Sequence, residues 1–302
     1  MGNGESTTDY ERTWRVAFQG ERGAFSEAAI AKLFGENVET APCPTFENLF
    51  LAVAEGRAGS ILAPLENSLA GSVHRCYDLL LETPLLIEAE VVLPVAHCLI
   101  GCAGATLADI RYVETHPVAL AQCQRFFAAH PQVEYRAAND TAASVRRVVE
   151  RGDKSIAAIA ACRAAKLYGG EVLQRNLQDH AENYTRFVLL SPAPRIAPDA
   201  DKVSLVFQLK HQPGSLYQAI GAFATRGLDL LKIESRPIAG APWQYRFYLD
   251  VRAGVNEPAF SEALNDLEHC AEDLRLLGCY RSAARHSQVT QKEKISWHEK
   301  TT

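Results

Sequence analysis

The sequence has no long run of basic residues before its C-terminal tail, and its formal net charge is −5. Proteins that bind nucleic acid or anionic membranes through charge usually carry a basic patch, so we expect neither partner. No apolar run reaches the roughly 20 residues that a membrane-spanning helix needs. The first residues are polar and mixed in charge, unlike those of a signal or transit peptide. Together these absences predict a cytoplasmic globular protein.

The sequence also lacks the paired cysteines of a metal site. Its eight cysteines are scattered, and only Cys98 and Cys102 lie close together. No second pair completes a set of ligands, so we expect no metal. Most cysteines lie in apolar segments such as A-L-A-Q-C-Q-R-F-F. We therefore expect small buried thiols in a reducing compartment rather than disulfides.

The composition is that of an ordinary soluble protein, with 47% hydrophobic and 22% charged residues. Strand-like segments such as W-R-V-A-F-Q and S-I-L-A-P alternate with helix-like segments such as V-A-L-A-Q-C-Q-R-F-F, up to the strand F-V-L-L. This alternation predicts an α/β fold with a mostly parallel sheet, or two such sheets. The Pro-rich stretch S-P-A-P-R-I-A-P-D that follows is typical of a linker.

Beyond the linker the pattern changes to β-α-β-β-α-β, which is the ferredoxin-like arrangement. We expect a disordered tail at residues 1–13, an α/β domain at 14–191, a linker at 192–202, a second domain at 203–281 and a disordered tail at 282–302. For the second domain, composition leaves three roles open: a second enzyme part, an interaction module or a ligand sensor.

Several turns of the first domain place Gly, Ser, Asn or Thr between a strand and a helix. They are Gly20–Ser26, Glu66–Ser72, Thr115–Pro117 and Asn139–Thr141. Helix N-termini favour anions, and in open α/β folds they face one crevice. Helix capping is the better explanation for Ser26, Ser68, Asp140 or Thr141 taken singly. It is a weaker explanation for P-L-E-N-S-L-A-G-S, which places Glu66, Asn67 and Ser68 together directly after a buried strand. Glu66 is a candidate general acid or an orienting residue, and His97, His116 and His180 are further candidate acids or bases.

The segment A-E-N-Y-T-R-F-V-L-L places Asn183, Thr185 and Arg186 at the entrance of a buried strand. Strand ends often carry polar residues, and an arginine can extend to solvent from an apolar surface. The alternative is that this strand end lines a functional cleft. In the second domain, H-Q-P-G-S-L-Y-Q-A and K-I-E-S-R-P are similarly rich in polar residues.

These motifs together resemble those of prephenate dehydratases with a C-terminal ACT domain, and also those of plant arogenate dehydratases. The matching blocks are G-E-R-G-A-F-S-E-A-A, P-L-E-N-S-L-A-G-S, H-P-x-A-L-A-Q-C, N-D-T-A-A-S, N-Y-T-R-F, G-S-L-Y-Q-A-I and K-I-E-S-R-P. They cover about Arg15 to Tyr280 in the family's order. A single short motif is weak evidence, whereas seven in order are strong.

The resemblance implies two α/β lobes of the periplasmic-binding-protein type, with an active site in the cleft between them. The implied reaction converts prephenate to phenylpyruvate without metal or organic cofactor, and Thr185 is the residue expected to be essential. The expected catalytic residues are Glu66, Asn67, Ser68, Thr185, Arg186 and Phe187. The expected substrate-binding residues are Ser26, His116, Gln122, Thr141, Ala142 and Asn183. Arg186 is expected to clamp a substrate carboxylate.

The resemblance also implies that L-phenylalanine binds the ACT domain as an allosteric effector and that the chain forms a homodimer or homotetramer. The expected effector residues are Gly214, Ser215, Leu216, Tyr217, Glu234, Ser235, Arg236 and Pro237. Ser215 and Tyr217 differ from many bacterial relatives, which leaves the strength and sign of regulation open. Arogenate remains an alternative substrate. Two alternatives without catalysis are a two-lobed ligand-binding protein and a free-standing amino-acid sensor.

Overall fold

The computed structural model describes residues 15–238 and 240–283. Within them, the first lobe begins with five strands and three helices. In chain order these are β1 (Arg15–Gln19), α1 (Phe25–Phe34), β2 (Glu39–Cys43), α2 (Phe46–Ala54), β3 (Ser60–Asn67), β4 (Gly71–Ser72), α3 (His74–Glu82) and β5 (Leu86–Pro94). The expected strand start at Trp14 and the expected tail at residues 1–13 lie outside the described residues.

The chain then builds a second lobe and returns to the first through one strand. The second lobe contains β6 (His97–Gly101), a 3-10 turn (Leu107–Asp109), β7 (Tyr112–Thr115), α4 (Pro117–Ala121), α5 (Gln124–Ala129), β8 (Glu134–Ala137), α6 (Thr141–Arg151), β9 (Ile156–Ala161), α7 (Cys162–Tyr168) and β10 (Glu171–Arg175). The returning strand is β11 (Tyr184–Ser191). Val95 N donates to Asn183 O at 2.7 Å, so the outgoing and returning segments lie side by side.

The predicted α/β class and the presence of two sheets are confirmed, but the prediction of mostly parallel strands is wrong. In the first lobe β1 is parallel to β2 and β3, whereas β11 is antiparallel to β3 and β5. This direction arises because β11 re-enters the lobe at the end where β5 leaves it. In the second lobe β7 is parallel to β8 and β9, whereas β6 is antiparallel to β9 and β10.

The predicted β-α-β-β-α-β order after the Pro-rich stretch is confirmed. The elements are β12 (Lys202–Leu209), α8 (Ser215–Ala224), β13 (Asp229–Ile238), β14 (Ala241–Arg252), α9 (Pro258–Cys270) and β15 (Ala271–Tyr280). We call residues 202–280 the C-terminal unit. Its strands lie in the order β13-β14-β12-β15, and every pair is antiparallel. Alternate residues such as Leu205 and Phe207 pack under α8 and α9.

The opposite face of this sheet packs on the first lobe. Gly278 of β15 pairs with Ile87 of β5, which joins the two sheets into one. A Cβ at position 278 would lie well inside van der Waals distance of the Ile87 carbonyl oxygen, so glycine is required at this approach. Beside the junction, the rings of Tyr77 and Tyr248 meet edge-on with centroids 4.7 Å apart. The first lobe and the C-terminal unit therefore share a hydrophobic core.

Two local differences from the predicted elements arise from tertiary contacts. The single helix expected over V-A-L-A-Q-C-Q-R-F-F is broken between α4 and α5 at Gln122, whose carbonyl oxygen accepts from Asp179 N at 2.7 Å. The strand expected to end at Pro64 continues to Asn67, because β4 and β11 both pair with its last residues. In both places, partners distant in sequence override the local pattern.

The expectation of unpaired thiols is wrong for one pair of cysteines. Cys98 of β6 and Cys162 of α7 form a disulfide, with a Cα–Cα distance of 5.6 Å. They are 64 residues apart in the sequence, and adjacent strands β6 and β9 bring them together. Burial is confirmed for five of the other six cysteines: Cys43, Cys76, Cys102, Cys123 and Cys279.

The last described residues are held against the body of the protein. Both the backbone N–H and the hydroxyl of Ser282 donate to Asp201, and Ala283 N donates to Glu90 Oε1 at 2.8 Å. The remainder of the expected tail, residues 284–302, lies outside the described residues. In the described ranges, no helix combines the length and apolarity needed to cross a membrane.

Candidate active site

Thr185 and Asn67 are partners across the antiparallel strands β11 and β3. The Asn67 side-chain amide donates to Thr185 Oγ1 at 2.9 Å. The oxygen of the same amide, Asn67 Oδ1, accepts from the backbone N–H groups of Leu69 and Ala70 at 3.0 and 2.8 Å. These two hydrogen bonds fix the orientation of the Asn67 side chain. The turn after β3 therefore aims Nδ2 at Thr185, and the Thr185 hydroxyl keeps its own proton to donate elsewhere.

A chain of neutral side chains extends from this pair into the second lobe. Asn67 Nδ2 also donates to Asn183 Oδ1 at 2.8 Å, and Asn183 Nδ2 donates to Gln122 Oε1 at 2.9 Å. Gln122 Oε1 lies 2.9 Å from His97 Nε2. Asn183 is fully buried, and Gln122 and His97 are nearly so. Such a network is costly to disturb, because the removal of any one side chain would leave the polar group of another side chain unpaired.

The contacts of Gln122 assign the tautomer of His97. Gln122 Oε1 is an acceptor, so the Nε2 of His97 must carry the proton. Burial lowers the pKa of His97, with the Gln122 hydrogen bond as a smaller opposing cause, which favours the neutral ring. Among the described residues, Nδ1 is buried without a hydrogen-bond partner. The Phe25 ring packs edge-on against His97 with centroids 5.5 Å apart.

Ser68 holds the segment that returns from the second lobe. Its hydroxyl donates to Glu182 O at 3.0 Å and accepts from Tyr184 N at 2.9 Å. Its backbone N–H donates to Tyr184 O at 2.8 Å. These bonds place Asn183, the residue between those two, against Asn67.

The structure places other expected site residues at helix starts. Ser26 is buried in the first turn of α1, and Thr141 is the first residue of α6, whose cap Asp140 accepts from Ala143 N. The loops before these helices meet, because a Cβ at Gly20 would lie 3.0 Å from Asp140 Oδ2. Ala142 is fully buried in the core cluster shared by the two lobes.

Two further predicted residues have contacts with a structural role. His116 caps α4 by accepting from Val118 N at 3.2 Å through Nδ1. Phe187 is buried in the cluster that contains residues of both lobes, such as Leu62 and Val145. Neither joins the hydrogen-bond chain between His97 and Thr185 through a contact seen in the described residues.

Arg186 does not contact the Thr185 network, which corrects the expected carboxylate clamp. Its side chain lies on the opposite face of β11, because successive residues of a strand alternate. The guanidinium contacts Glu90 and Asp250 at 2.7 Å each and Tyr280 Oη at 2.8 Å. Burial opposes its charge, but Tyr280, Asp250 and Glu90 outweigh burial and raise the pKa of Arg186 well above its ordinary value. These partners within the protein take up the N–H groups of the guanidinium that a substrate carboxylate would need.

Lys202 completes this buried cluster. Its ammonium lies 2.9 Å from Glu90 Oε2 and 3.5 Å from Asp250 Oδ2. Burial alone would raise the pKa of Asp250, but Arg186 and Lys202 lower it below its ordinary value. The cluster joins strand β11 to three strands of the C-terminal unit.

Glu66 is also turned away from Asn67. Glu66 Oε1 lies 3.2 Å from Lys232 Nζ of β13, and Glu66 Oε2 lies 3.9 Å from Arg186 Nη1. Of the two roles considered, these contacts support orientation of a neighbour rather than general acid catalysis.

The expected effector residues divide into two groups. Glu234 contacts Ser72 and His74, and Arg236 contacts Asp78 at 2.9 Å, so both face the first lobe. The others are at or near the surface of the C-terminal unit: Gly214, Ser215, Leu216, Tyr217, Ser235 and Pro237. Tyr217 is 78% exposed.

Sequence motifs did not single out Glu90, Lys202, Asp250 or Tyr280. They gave Lys232, the first residue of the block K-I-E-S-R-P, no role of its own. A signal existed, since charged residues such as Asp250 in Y-L-D-V-R interrupt otherwise apolar strands. The sequence did not show that two such strands would face each other across an interface.

Comparison with known proteins places this arrangement in a family. Residues 16–195 match the family model of prephenate dehydratase. The chain is 41% identical to the chloroplastic arogenate dehydratase/prephenate dehydratase 1 of Arabidopsis thaliana, over 88% of this chain and 71% of that protein. It is 38% identical to a bifunctional N-acyl-homoserine lactone acylase/prephenate dehydratase of Komagataeibacter europaeus, over 88% of this chain and 95% of that protein.

A solved structure agrees with these sequence matches. The prephenate dehydratase of Arthrobacter aurescens, crystallised in complex with L-Phe, aligns with a TM-score of 0.81 and 32% identity. The alignment covers 89% of this chain and 90% of that one, so it includes the C-terminal unit as well as both lobes.

Proposed function

This chain belongs to the prephenate dehydratase family, and we propose that it converts prephenate to phenylpyruvate as a carbon–oxygen lyase of phenylalanine biosynthesis. The observation that carries the proposal is the contact between Asn67 and Thr185, which leaves one hydroxyl proton free. Family membership favours an enzyme over the two alternatives without catalysis.

In the proposed reaction two ring substituents leave. The ring carboxylate departs as carbon dioxide, and the electrons of its C–C bond enter the ring. The C–O bond opposite breaks, and the leaving hydroxide takes a proton from solvent to become water. The ring becomes aromatic, so the products are strongly favoured, and the barrier lies in expelling a poor leaving group.

We assign Thr185 as the donor to the departing oxygen. The hydrogen bond from Asn67 to Thr185 Oγ1 polarises the hydroxyl and fixes its lone pair, which makes its proton a better directed donor. A threonine hydroxyl is a weak acid, so its contribution is electrostatic rather than complete proton transfer. A positioned donor of this kind typically contributes about 10²–10⁴ in rate.

The neutral network suits the carboxylate that must leave. A cation paired with that group would stabilise charge in the ground state that is lost in the transition state. Asn67, Asn183 and Gln122 provide amides instead. For the side-chain carboxylate we propose the first turn of α1 at Ser26 and the first turn of α6 at Thr141, since helix N-termini favour anions.

The substrate is tested by separate incubation of the purified protein with prephenate and with arogenate, following phenylpyruvate and phenylalanine. We propose prephenate as the preferred substrate. The name of the Arabidopsis relative includes both activities, so a higher kcat/KM for arogenate would keep the chemistry and change the substrate. Folded protein that turns over neither compound would contradict the proposed function.

We propose that residues 203–281 form an ACT domain that binds L-phenylalanine as an effector. The Arthrobacter relative was crystallised with this amino acid. Gly214–Tyr217 lie at the start of α8, with Ser235 and Pro237 on the outer face of β13. Calorimetry with L-phenylalanine at millimolar concentration tests binding, and the absence of heat would count against the assignment.

We also propose a homodimer, or a homotetramer built from it, in the cytoplasm. Strand β13 is the edge of the sheet, and an edge strand offers unpaired backbone groups to a second copy. Exposed apolar side chains lie near this edge, with Ile233 at 47% and Trp243 at 77%. Light scattering coupled to size exclusion tests the assembly, and a monomer at micromolar concentration would contradict it.

A further inference from the structure

Two faces of the β3–β11 strand pair have different partners. On one face Asn67 donates to Thr185. The preceding residue of β3 and the following residue of β11, Glu66 and Arg186, are also register partners, and both contact the C-terminal unit. Asn67 and Thr185 therefore each have a sequence neighbour whose charged side chain lies on the other face of the sheet. The C-terminal unit contacts both of these charged side chains.

Lys232 of β13 is the residue of the C-terminal unit that contacts Glu66. Its Nζ lies 3.2 Å from Glu66 Oε1, 3.1 Å from Ser72 Oγ and 3.4 Å from Glu234 Oε2. The Lys232 side chain is 12% exposed and that of Glu66 is 38% exposed, so solvent screens this ion pair in part. Ser72 and Glu66 pair across the β3–β4 hairpin. One ammonium group thus holds both strands of the hairpin that contains Asn67.

Glu234 supports the same hairpin. Its carboxylate accepts from Ser72 Oγ at 2.8 Å and lies 3.1 Å from His74 Nε2. Burial opposes the charge of Glu234, but its bonds with Ser72, His74 and Lys232 lower its pKa overall. Lys232 is consequently held in place between two carboxylates.

We propose that Lys232 is a positioning residue for the dehydration: through Glu66 and Ser72 it holds the β3–β4 hairpin so that Asn67 stays bonded to Thr185. This role rests on the proposed dehydratase function. Lys232 does not touch the reacting groups. Loss of its ammonium lets the hairpin shift, and a displacement of about 1 Å at a catalytic group can cost 10²-fold in rate.

The test compares kcat and KM of Lys232→Met with those of the unaltered protein. We expect kcat to fall about 10- to 100-fold and KM to stay within about threefold, because the substrate contacts remain. Lys232→Arg should recover most of the rate, since it restores a cation. Lys210→Met is the matched control, because Lys210 is an exposed lysine of the same unit. Thermal melts establish that each variant is folded.

A double-mutant cycle tests the route through Glu66. If Lys232 acts through Glu66, then Glu66→Gln lowers kcat to a similar extent, and the double variant loses no more than either single variant. Glu66→Gln keeps the side-chain shape, so it also serves if Lys232→Met does not fold.

Three results would overturn the role of Lys232. They are a kcat for Lys232→Met within twofold of the control, a rise in KM alone, and losses that multiply in the double variant. Unaltered, folded protein that turns over neither prephenate nor arogenate would overturn the proposed function and this role with it. That result is distinguishable from a failure of the Lys232 role alone, because it is observed with the unaltered protein before any variant is made.

Discussion

The side-chain nitrogen of Asn67 lies 2.9 Å from the hydroxyl oxygen of Thr185, although 118 residues separate them in the sequence. The contact joins the end of β3 to the start of β11, the strand that returns from the second lobe. It also begins the hydrogen-bond chain that reaches His97 in that lobe. The position of the Thr185 hydroxyl therefore depends on the segment that returns from the second lobe to the first.

Asn67→Asp tests the direction of this hydrogen bond. The change removes the Nδ2 donors and places a carboxylate against Thr185 Oγ1. The Thr185 proton would then donate to the new carboxylate rather than to the substrate. We expect kcat to fall more than about 100-fold. Asn265→Asp, on the exposed side of α9, is the control and should keep the original rate. Comparable rates for the two variants would refute the assigned direction.

Asp250→Asn tests the buried cluster around Arg186. Removing this charge leaves the two buried cations with Glu90 as their close carboxylate, since Glu66 lies 3.9 Å from Arg186. Breaking a buried pair typically costs about 3–5 kcal/mol. The control is Asp229→Asn, since Asp229 is 62% exposed and its pair with Arg252 is screened by solvent. That change should alter stability by less than about 0.5 kcal/mol. Urea unfolding measures both, and equal losses would show that the cluster is not stabilising.

Gly278→Ala tests the junction between the two sheets. The added methyl group would collide with the Ile87 backbone, so we expect a loss of about 1–3 kcal/mol in the free energy of unfolding. Gly221→Ala is the control, because this helical glycine has open space around it. That change should be neutral or stabilising by up to about 1 kcal/mol. A neutral result at position 278 would mean that the junction is looser than described.

Because His97 is buried and neutral, we expect the free energy of unfolding to fall at acid pH. The pKa of His97 is lowered in the folded protein, so the unfolded chain binds the proton more readily as pH falls below the ordinary value of about 6.5. Stability from this group is complete above that pH and declines below it. Each unit of difference between the folded and unfolded pKa corresponds to about 1.4 kcal/mol.

Urea unfolding of the unaltered protein and His97→Gln at pH 7.5 and pH 5.5 measures this effect. The stability difference between them should shrink at the lower pH, because only the unaltered protein has an imidazole to protonate. A difference that does not change with pH would contradict the neutral, buried state of His97.

Much of the fold follows from local pattern. The helix α6 begins after Asp140, whose side chain caps it, and ends at Gly152 in the left-handed conformation, as such residues favour. The C-terminal unit was predictable from its alternating strands and its turn residues. These signals depend on neighbours within a few positions.

The parts that were not predicted depend on distant partners. Gln122 interrupts a helix because it is bonded to residues from other segments, and Cys98 meets Cys162 across two strands. Motif resemblance predicted Thr185 and Asn67 as site residues, and the structure brings them into contact. It also predicted Arg186, which follows Thr185 in the sequence but faces the other way. Strand alternation predicts opposite faces for Thr185 and Arg186, yet only the packed structure shows that the C-terminal unit covers the second face.

The most direct test of the account is the kcat of Thr185→Val compared with Thr185→Ser in the turnover of prephenate. Valine keeps the shape and removes the hydroxyl, whereas serine keeps the hydroxyl. We predict that Thr185→Val loses about 10²–10⁴ in kcat although a thermal melt shows that it is folded, and that Thr185→Ser retains most of the rate. A Thr185→Val protein with most of the original kcat would contradict the assignment of Thr185 as the donor to the leaving oxygen.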